Sequence, residues 1–252
     1  MKILIIPDVH LKPWMFNAAD EIDKNKYDRI VCLGDLVDDW GQQFNTDLYD
    51  RTMQRVLKFD KDHPDMLWCL GNHDFSYLWG HPESGYSSMQ GAIVSKYIVK
   101  LEDQAGKRLA IVHDVDGMLF SHAGLKNGYL SKYKYFEDSL GNRTQLLNAI
   151  NCAWKEKKYE EFLWEDGSPI WLRPPGYGET ISVPYLYGQT KDEFKEHKIC
   201  QVVGHTPVKE PKVSCGMLIT DTFSTYSDGV TPVGNEKFII FDTDTRTWEY
   251  AH

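Results

Sequence analysis

Short apolar runs rich in β-branched residues recur along the chain, each ending in a polar cluster that often contains glycine: Ile3 to Ile6, Ile30 to Leu33, Met66 to Leu70, Leu109 to Val112, Met118 to Phe120 and Ile199 to Val203. Runs of this length without polar alternation predict strands buried on both faces, with carboxyl ends that open into loops. Between them the spacing becomes helical. Leu48, Tyr49, Met53, Val56 and Leu57 fall on one face, Ile93, Tyr97, Ile98 and Leu101 on another, and Leu146, Leu147, Ile150, Ala153 and Trp154 on a third, as a period of 3.6 residues requires. Strands alternating with helices predict a layered α/β architecture. The chain returns to strands at Met217 to Thr220 and Phe238 to Phe241, and a hairpin is expected at Asp242 to Arg246.

From about residue 131 to 195 the pattern changes, and charged helix-like stretches alternate with aromatic and proline-rich loops such as Trp164 to Tyr187. This segment reads as a substrate-facing insertion over one end of the sheet, so residues 1–252 are expected to form a single domain. A chain of 252 residues with 42% hydrophobic residues is long enough to bury one substantial core. Its net charge of -9 argues against an electrostatic grip on a nucleic acid duplex, which needs clustered Lys and Arg. An anionic substrate has to be held locally. No stretch approaches the ~20 apolar residues that cross a bilayer, and the opening MKILIIPDVH turns polar too soon for a signal peptide. A cytoplasmic protein with no membrane partner is expected. The cysteines (Cys32, Cys69, Cys152, Cys200 and Cys215) are odd in number and never spaced C-x-x-C, which points to neither a disulfide framework nor a thiolate zinc site. Cys32, Cys69 and Cys200 lie in apolar runs and read as small buried side chains.

Five polar clusters punctuate the strand ends: D-V-H at Asp8 to His10, G-D-L-V-D at Gly34 to Asp38, G-N-H-D at Gly71 to Asp74, S-H-A-G at Ser121 to Gly124 and G-H-T at Gly204 to Thr206. Singly, each has an ordinary structural reading: a polar turn after a strand, an Asp that caps a loop by bonding nearby backbone N–H groups, or a packed histidine. Together, in this order and all at strand ends, they point to one crevice, because loops beyond the carboxyl ends of strands in an α/β sheet converge. The chemistry that needs such a set is a pair of divalent metals ~3.5–4 Å apart, which lowers the pKa of a bound water and clamps the oxygens of an in-line phosphoryl displacement. One carboxylate must bridge the pair. Mixed imidazole and oxygen ligands suit Mn, Fe or Zn better than an all-oxygen Mg or Ca cage.

The set D-x-H, G-D-x-x-D, G-N-H-D, S-H-A-G and G-H-T resembles the calcineurin-like metallophosphoesterases from Ile3 to about Asp221. The resemblance implies a four-layer α/β/β/α sandwich, two central sheets flanked by helices. It implies hydrolysis of a phosphate ester by a hydroxide bridging two divalent ions, manganese first, iron or zinc otherwise. By motif, Asp8 and His10 correspond to ligands of the first metal, Asp35 to the bridge, and Asn72, His122 and His205 to ligands of the second, with Asn72 also touching substrate. His73 is similar to the general acid that protonates the leaving oxygen or steers the substrate, and Asp74 to the carboxylate that orients it. The single His of G-H-T and the W-L-R-P segment around Arg173 look most like the phosphoprotein phosphatases and the bacterial symmetrical diadenosine tetraphosphatases. Arg173 is therefore the candidate phosphate clamp, with a surface ion pair as its alternative, since a guanidinium grips phosphate bidentately.

Two positions depart from that pattern, the lesser being Asp74, where those phosphatases usually have Glu. Phosphoprotein phosphatases usually carry an arginine after the second Asp of G-D-x-V-D-R-G, whereas this chain has Asp39. A carboxylate there repels a phosphate dianion unless it turns away or holds another cation. The expected partner is a phosphorylated protein or a small phosphate ester, bound weakly unless the insertion compensates. Two other functions stay open: a dinucleoside polyphosphate or nucleotide pyrophosphohydrolase, with Trp164, Tyr177, Tyr185 or Tyr187 stacking on a base, and a metal-binding interaction module without catalysis. The intact ligand set and the His73 and Asp74 pair count against the last. Tyr77 and His81 read as exposed loop residues, His113 and Asp114 as part of a strand and its hairpin, His63, His197 and His252 as solvated, and Asp221 as the cap of a turn.

Overall fold

A computed structural model describes residues 1–126, 130, 132, 136, 139, 142–156, 167–173, 199–214 and 216–251. Most of the 131–195 insertion, including Trp164, Tyr177, Tyr185 and Tyr187, lies outside the described residues, as do His197, Cys215 and His252. The described elements run β1 (Lys2–Ile6), α1 (Trp14–Asp20), β2 (Arg29–Cys32), α2 (Thr46–Asp62), β3 (Leu67–Cys69), α3 (Asn72–Trp79), α4 (Gly91–Ala105), β4 (Leu109–Ala110), β5 (Val112–Val115), β6 (Met118–Ser121), α5 (Arg143–Ala153), β7 (Gln201–Val203), β8 (Lys212–Ser214), β9 (Met217–Ile219), β10 (Ile239–Asp242) and β11 (Thr247–Tyr250).

β1 shows why the strands are apolar throughout. Ile3 and Ile5 join a cluster with Phe120, Val202, Leu218 and Phe241, whereas Leu4 and Ile6 join one with Met15, Phe16, Met53 and Phe59. Side chains of a strand alternate between faces, so one face of β1 meets a second sheet and the other meets helices. Among the described residues the first sheet has the order β11-β10-β1-β2-β3-β4 and the second β5-β6-β7-β9-β8. β1 to β4 are mutually parallel, as are β6, β7 and β9. Helices α1, α2 and α4 cover the outer face of the first sheet, and α5 packs against β5. The expected two-sheet, helix-flanked arrangement is observed. Each fully buried Ile, Leu or Phe in these layers contributes about 1.5–3 kcal/mol by the area it removes from water.

Two local details differ from the sequence reading. The run Leu109 to Val112 is not one strand: the chain leaves the first sheet after Ala110 and enters the second at Val112. Asn151 on α5 makes that crossing possible, because its side-chain oxygen accepts the N–H groups of Ile111 and Val112, both at 3.0 Å, and its amide donates to the Val112 carbonyl at 2.9 Å. The buried faces of α2 and α4 are also shifted, with Leu48, Leu57 and Tyr97 only partly buried while Phe59, Val94 and Ala105 are enclosed. α2 starts where Asn45 accepts the Leu48 N–H, a cap contributing about 1 kcal/mol.

Four further expectations are met. Cys32, Cys69 and Cys200 are buried; His113 and Asp114 lie in β5, paired with β6; a hairpin joins β10 to β11; and the Asp221 carboxylate caps a turn at Phe223 and Ser224. His63 is an exception, since its Nε2 lies 2.8 Å from Asp20 in a side chain only 11% exposed. Among the described residues no helix is long and apolar enough to cross a membrane.

Candidate active site

The loops following β1, β2, β3, β6 and β7 meet beyond one edge of the two sheets and are tied to one another by backbone donors. The His205 N–H donates to both Asp8 carboxylate oxygens (2.9 and 3.0 Å), the His73 N–H to Asp35 Oδ1 (3.0 Å), and the His10 N–H to the Asp35 carbonyl (2.8 Å). These approaches require glycine at two points. A Cβ on Gly71 would lie 2.1 Å from Asp35 Oδ1, and one on Gly204 1.9 Å from Asp8 Oδ1. The backbone is also strained, because His10 (φ 42°), Asp35 (47°), Asp38 (65°) and His205 (60°) occupy the left-handed region. Such conformations cost about 1–3 kcal/mol each and persist where surrounding contacts over-determine them.

All six sequence-predicted ligand residues come together. His10 donates from Nδ1 to the Asp38 carbonyl (2.9 Å) and His122 from Nδ1 to the Leu33 carbonyl (2.9 Å), which leaves both Nε2 lone pairs aimed inward, as metal-binding imidazoles require. Asp35 Oδ2 lies 3.2 Å from His122 Nε2 and 3.8 Å from His10 Nε2. Asn72 Oδ1 and His205 Nδ1 each lie 3.1 Å from His122 Nε2, and Asp8 Oδ2 lies 3.9 Å from His10 Nε2. Two triads of donor atoms, Asp35 with His122 and His205 and Asp35 with His10 and His73, each fall within 4.8 Å and share Asp35. His205 Nε2 is buried with no hydrogen-bond partner among the described residues, a cost that a native interior rarely leaves uncompensated. The donor set therefore fits divalent cations.

The electrostatics agree. Burial, reinforced by Asp221, raises the Asp8 carboxyl well above its usual range. Burial acts the same way on Asp35, yet the His122 and His73 imidazoles outweigh it and hold that carboxyl well below the usual range. Burial lowers His10, and burial with His122 and Arg173 nearby lowers His205, so both imidazoles stay neutral, the form that ligates. Burial also opposes protonation of His122, but Asp35 and Asp8 raise it to about 9. A cation bound there displaces that proton, because metal ligation needs the neutral ring.

The carboxylate that faces His73 is Asp38, not the expected Asp74. Asp38 Oδ2 accepts the His73 Nδ1–H at 3.1 Å, and although burial lowers His73, Asp35 and Asp38 raise it to about 9. Asp74 instead points back into the turn before α3, its oxygens accepting the N–H groups of Gly71 (2.9 Å) and Leu36 (3.0 Å). The third residue of a helix naturally reaches back to the residue that starts it, so adjacency in sequence misdirected the assignment. The signal for Asp38 was present as the last residue of G-D-x-x-D.

A cavity of about 140 Å³ opens over this cluster, its lining including His10, Asp35, Asp38, His73 and His205 together with Asp39, Trp40, Ser84, Arg173, Ser224 and Thr225. Arg173 donates from Nη1 to the His205 carbonyl at 2.7 Å, which sets its guanidinium beside the cavity rather than in a surface ion pair. Of the two ways open to Asp39, it takes the second: it holds another cation. Lys12 Nζ bonds its Oδ2 at 3.0 Å in a pair only 9% and 11% exposed, while Thr225 Oγ1 (2.7 Å) and the Trp40 N–H (2.8 Å) donate to Oδ1. Sequence reasoning missed Lys12 and Thr225. Lys12 was detectable as the cation two places after His10; Thr225, 186 residues from Asp39, carried no signal. Nearby, burial, opposed by His73 and aided by Asp35 and Asp38, raises Glu83 to about 7.

A model of the calcineurin-like phosphoesterase family matches residues 1–229. A search of curated proteins gave no match by sequence. Among solved structures, the chain is similar to the cold-active protein-tyrosine phosphatase of a psychrophilic Shewanella species, with 19% identity and a TM-score of 0.51, over 100% of this chain and 80% of that one. It is also similar to a protein serine/threonine phosphatase from Saccharomyces cerevisiae, with 13% identity and a TM-score of 0.51, over 95% of this chain and 72% of that one. At these identities the likeness is one of fold.

Proposed function

The chain belongs to the calcineurin-like phosphoesterase family and is a metal-dependent hydrolase of phosphate esters, and from that premise we propose that it hydrolyses phosphate monoesters with two divalent ions, manganese first. The two triads sharing Asp35, with the buried and unpartnered His205 Nε2, are the observation that supports this reading. Asp8, His10, Asp35, Asn72, His122 and His205 would hold the ions, which when bound supply an activated water and neutralise phosphoryl charge.

The chain's own residues do the rest. Arg173, fixed by its bond to the His205 carbonyl, presents its remaining N–H groups to the phosphoryl oxygens. Asn72, at the start of α3, sets its Oδ1 3.1 Å from His122 Nε2, and its expected contact with substrate would be made from there. His73, held by Asp38, donates a proton to the departing oxygen. Asp39 does not present an uncompensated charge to the phosphate, because Lys12 offsets it. A small phosphate ester or the phosphoryl group of a protein fits the roughly 140 Å³ cavity.

A second reading, hydrolysis of a nucleotide or dinucleoside polyphosphate, is favoured by Trp40, which lines the cavity and is 39% exposed, since an open indole is a stacking platform. One screen separates the two: phosphopeptides, aryl phosphates, nucleotides and dinucleoside polyphosphates, each with manganese. Turnover of the monoesters that disappears on chelation and returns with manganese is expected. Turnover confined to pyrophosphate bonds would replace the monoester reading, and turnover indifferent to chelation would end the two-ion reading.

A further inference from the structure

The Asp38 carboxylate serves His73 through one oxygen, and the other is occupied in a way the reaction does not by itself require. Oδ1 accepts hydrogen bonds from two phenols, Tyr49 on α2 at 2.7 Å and Tyr77 on α3 at 2.5 Å. The Tyr77 oxygen in turn accepts the Ser87 N–H at 2.9 Å, which commits its own proton to Asp38. None of this is at the surface: Tyr49 and Asp38 are 0% and 1% exposed, Ser87 3% and Tyr77 6%. The sequence reading of Tyr77 as an exposed loop residue is thereby corrected, because α3 turns its ring inward against Tyr86. We propose that Tyr49 and Tyr77 are positioning residues, which lock the Asp38 carboxylate so that its free oxygen fixes the His73 imidazole toward the phosphate cavity.

Three features support a positioning role over simple compensation for a buried charge. A carboxylate can rotate about its terminal bond, and with only His73 as partner its heading would be set by that same mobile ring. Two donors on Oδ1 remove the freedom, and they come from rings that cannot follow it, since Tyr49 and Tyr77 pack edge-on at 6.4 Å within the helical layer. Asp38 also accepts the His10 Nδ1–H through its carbonyl, so one residue sets the heading of two imidazoles at the site. The orientation of His73 is thus referred to α2, α3 and the segment after α3 rather than to the strand-end loops alone. Outer-shell partners of metal ligands affect activity by about 10–100-fold when removed, and the tyrosines, one step beyond Asp38, are taken at that scale.

This inference rests on the phosphoesterase reading, and the test keeps the two apart. Tyr49→Phe and Tyr77→Phe keep the rings and remove only the hydroxyls. Each is assayed with manganese on an aryl phosphate and on an alkyl phosphate of poor leaving group, alone and combined with His73→Ala, together with metal content and thermal midpoint. Each single variant should lower kcat on the alkyl ester by about 10–100-fold, with a smaller loss on the aryl ester, unchanged KM and unchanged metal content. Against a His73→Ala background the loss should vanish, because nothing remains to be positioned. A loss of equal size in both backgrounds, or a lowered thermal midpoint with normal kcat, would reduce the tyrosines to a structural role. A wild-type protein inactive on both esters would instead overturn the monoesterase reading and this inference with it.

Discussion

The metal-facing floor of the site and the wall that faces the substrate are built on different principles. The floor consists of residues in short motifs, each a few positions past a strand end, buried and braced by backbone donors such as the His205 N–H on Asp8. The wall is assembled from Asp39, Trp40, Ser84, Arg173, Ser224 and Thr225, which belong to no common motif and are more open to solvent. Two of its pairings are side chain to side chain and long-range, Lys12 with Asp39 and Asp39 with Thr225. The strained left-handed backbone at His10, Asp35, Asp38 and His205 belongs to the floor. Main-chain donors thus brace much of the floor, while long-range side-chain pairs set Asp39 in the wall.

The largest effect that would test this contrast is on the floor. Asp35→Asn should remove bound metal and turnover together, by more than the 10–100-fold typical of an outer-shell partner, because Asp35 belongs to both triads; metal analysis by mass spectrometry alongside activity checks it. Retained metal with lost activity would confine Asp35 to chemistry. Next comes the wall. Arg173→Ala should keep metal content and raise KM for an aryl phosphate by roughly 10- to 150-fold, as loss of a charge-assisted contact worth about 1.5–3 kcal/mol requires. Metal loss in that variant would show that its bond to the His205 carbonyl braces the floor, and the division drawn here would fail. The smallest effect is at Lys12. Lys12→Met uncovers the Asp39 carboxylate, and repulsion of about 1 kcal/mol at ~4 Å in water should raise KM about 5-fold. The double variant with Asp39→Asn should recover most of it. If it does not, Lys12 matters through its bond to the His10 carbonyl and not through charge.

The same contrast explains what was legible in the sequence. Strand positions could be read because buried strands produce unbroken apolar runs, and the five polar clusters because they sit a few residues beyond the strand ends; the roles expected within them came from the resemblance. Asp74 was misassigned because its neighbour in sequence, His73, points the opposite way across the first turn of α3. Asp39 could be flagged as anomalous but not resolved, since its answer, Lys12, lies 27 positions earlier on another loop. The crossing at Ile111 escaped notice because Leu109 to Val112 is uniformly apolar, and it is the side chain of Asn151 that decides where one sheet ends and the other begins.

The placement of β1 has a consequence for how the molecule is made. β1 is flanked by β2 on one side and by β10 on the other, with Lys2 opposite Asp242 and Ile5 opposite Ile239. A ribosome releasing this chain exposes the first strand long before the residues that close its second edge exist. Until then Ile3 to Ile6 presents unpaired backbone groups on an apolar ribbon, the kind of edge that invites pairing with another chain. Non-local pairings of this span also form slowly. A nascent chain stalled before residue 239 should therefore need holding by a chaperone, and the floor of the site should mature late, because Asp8 meets the His205 N–H only after nearly two hundred further residues have been added.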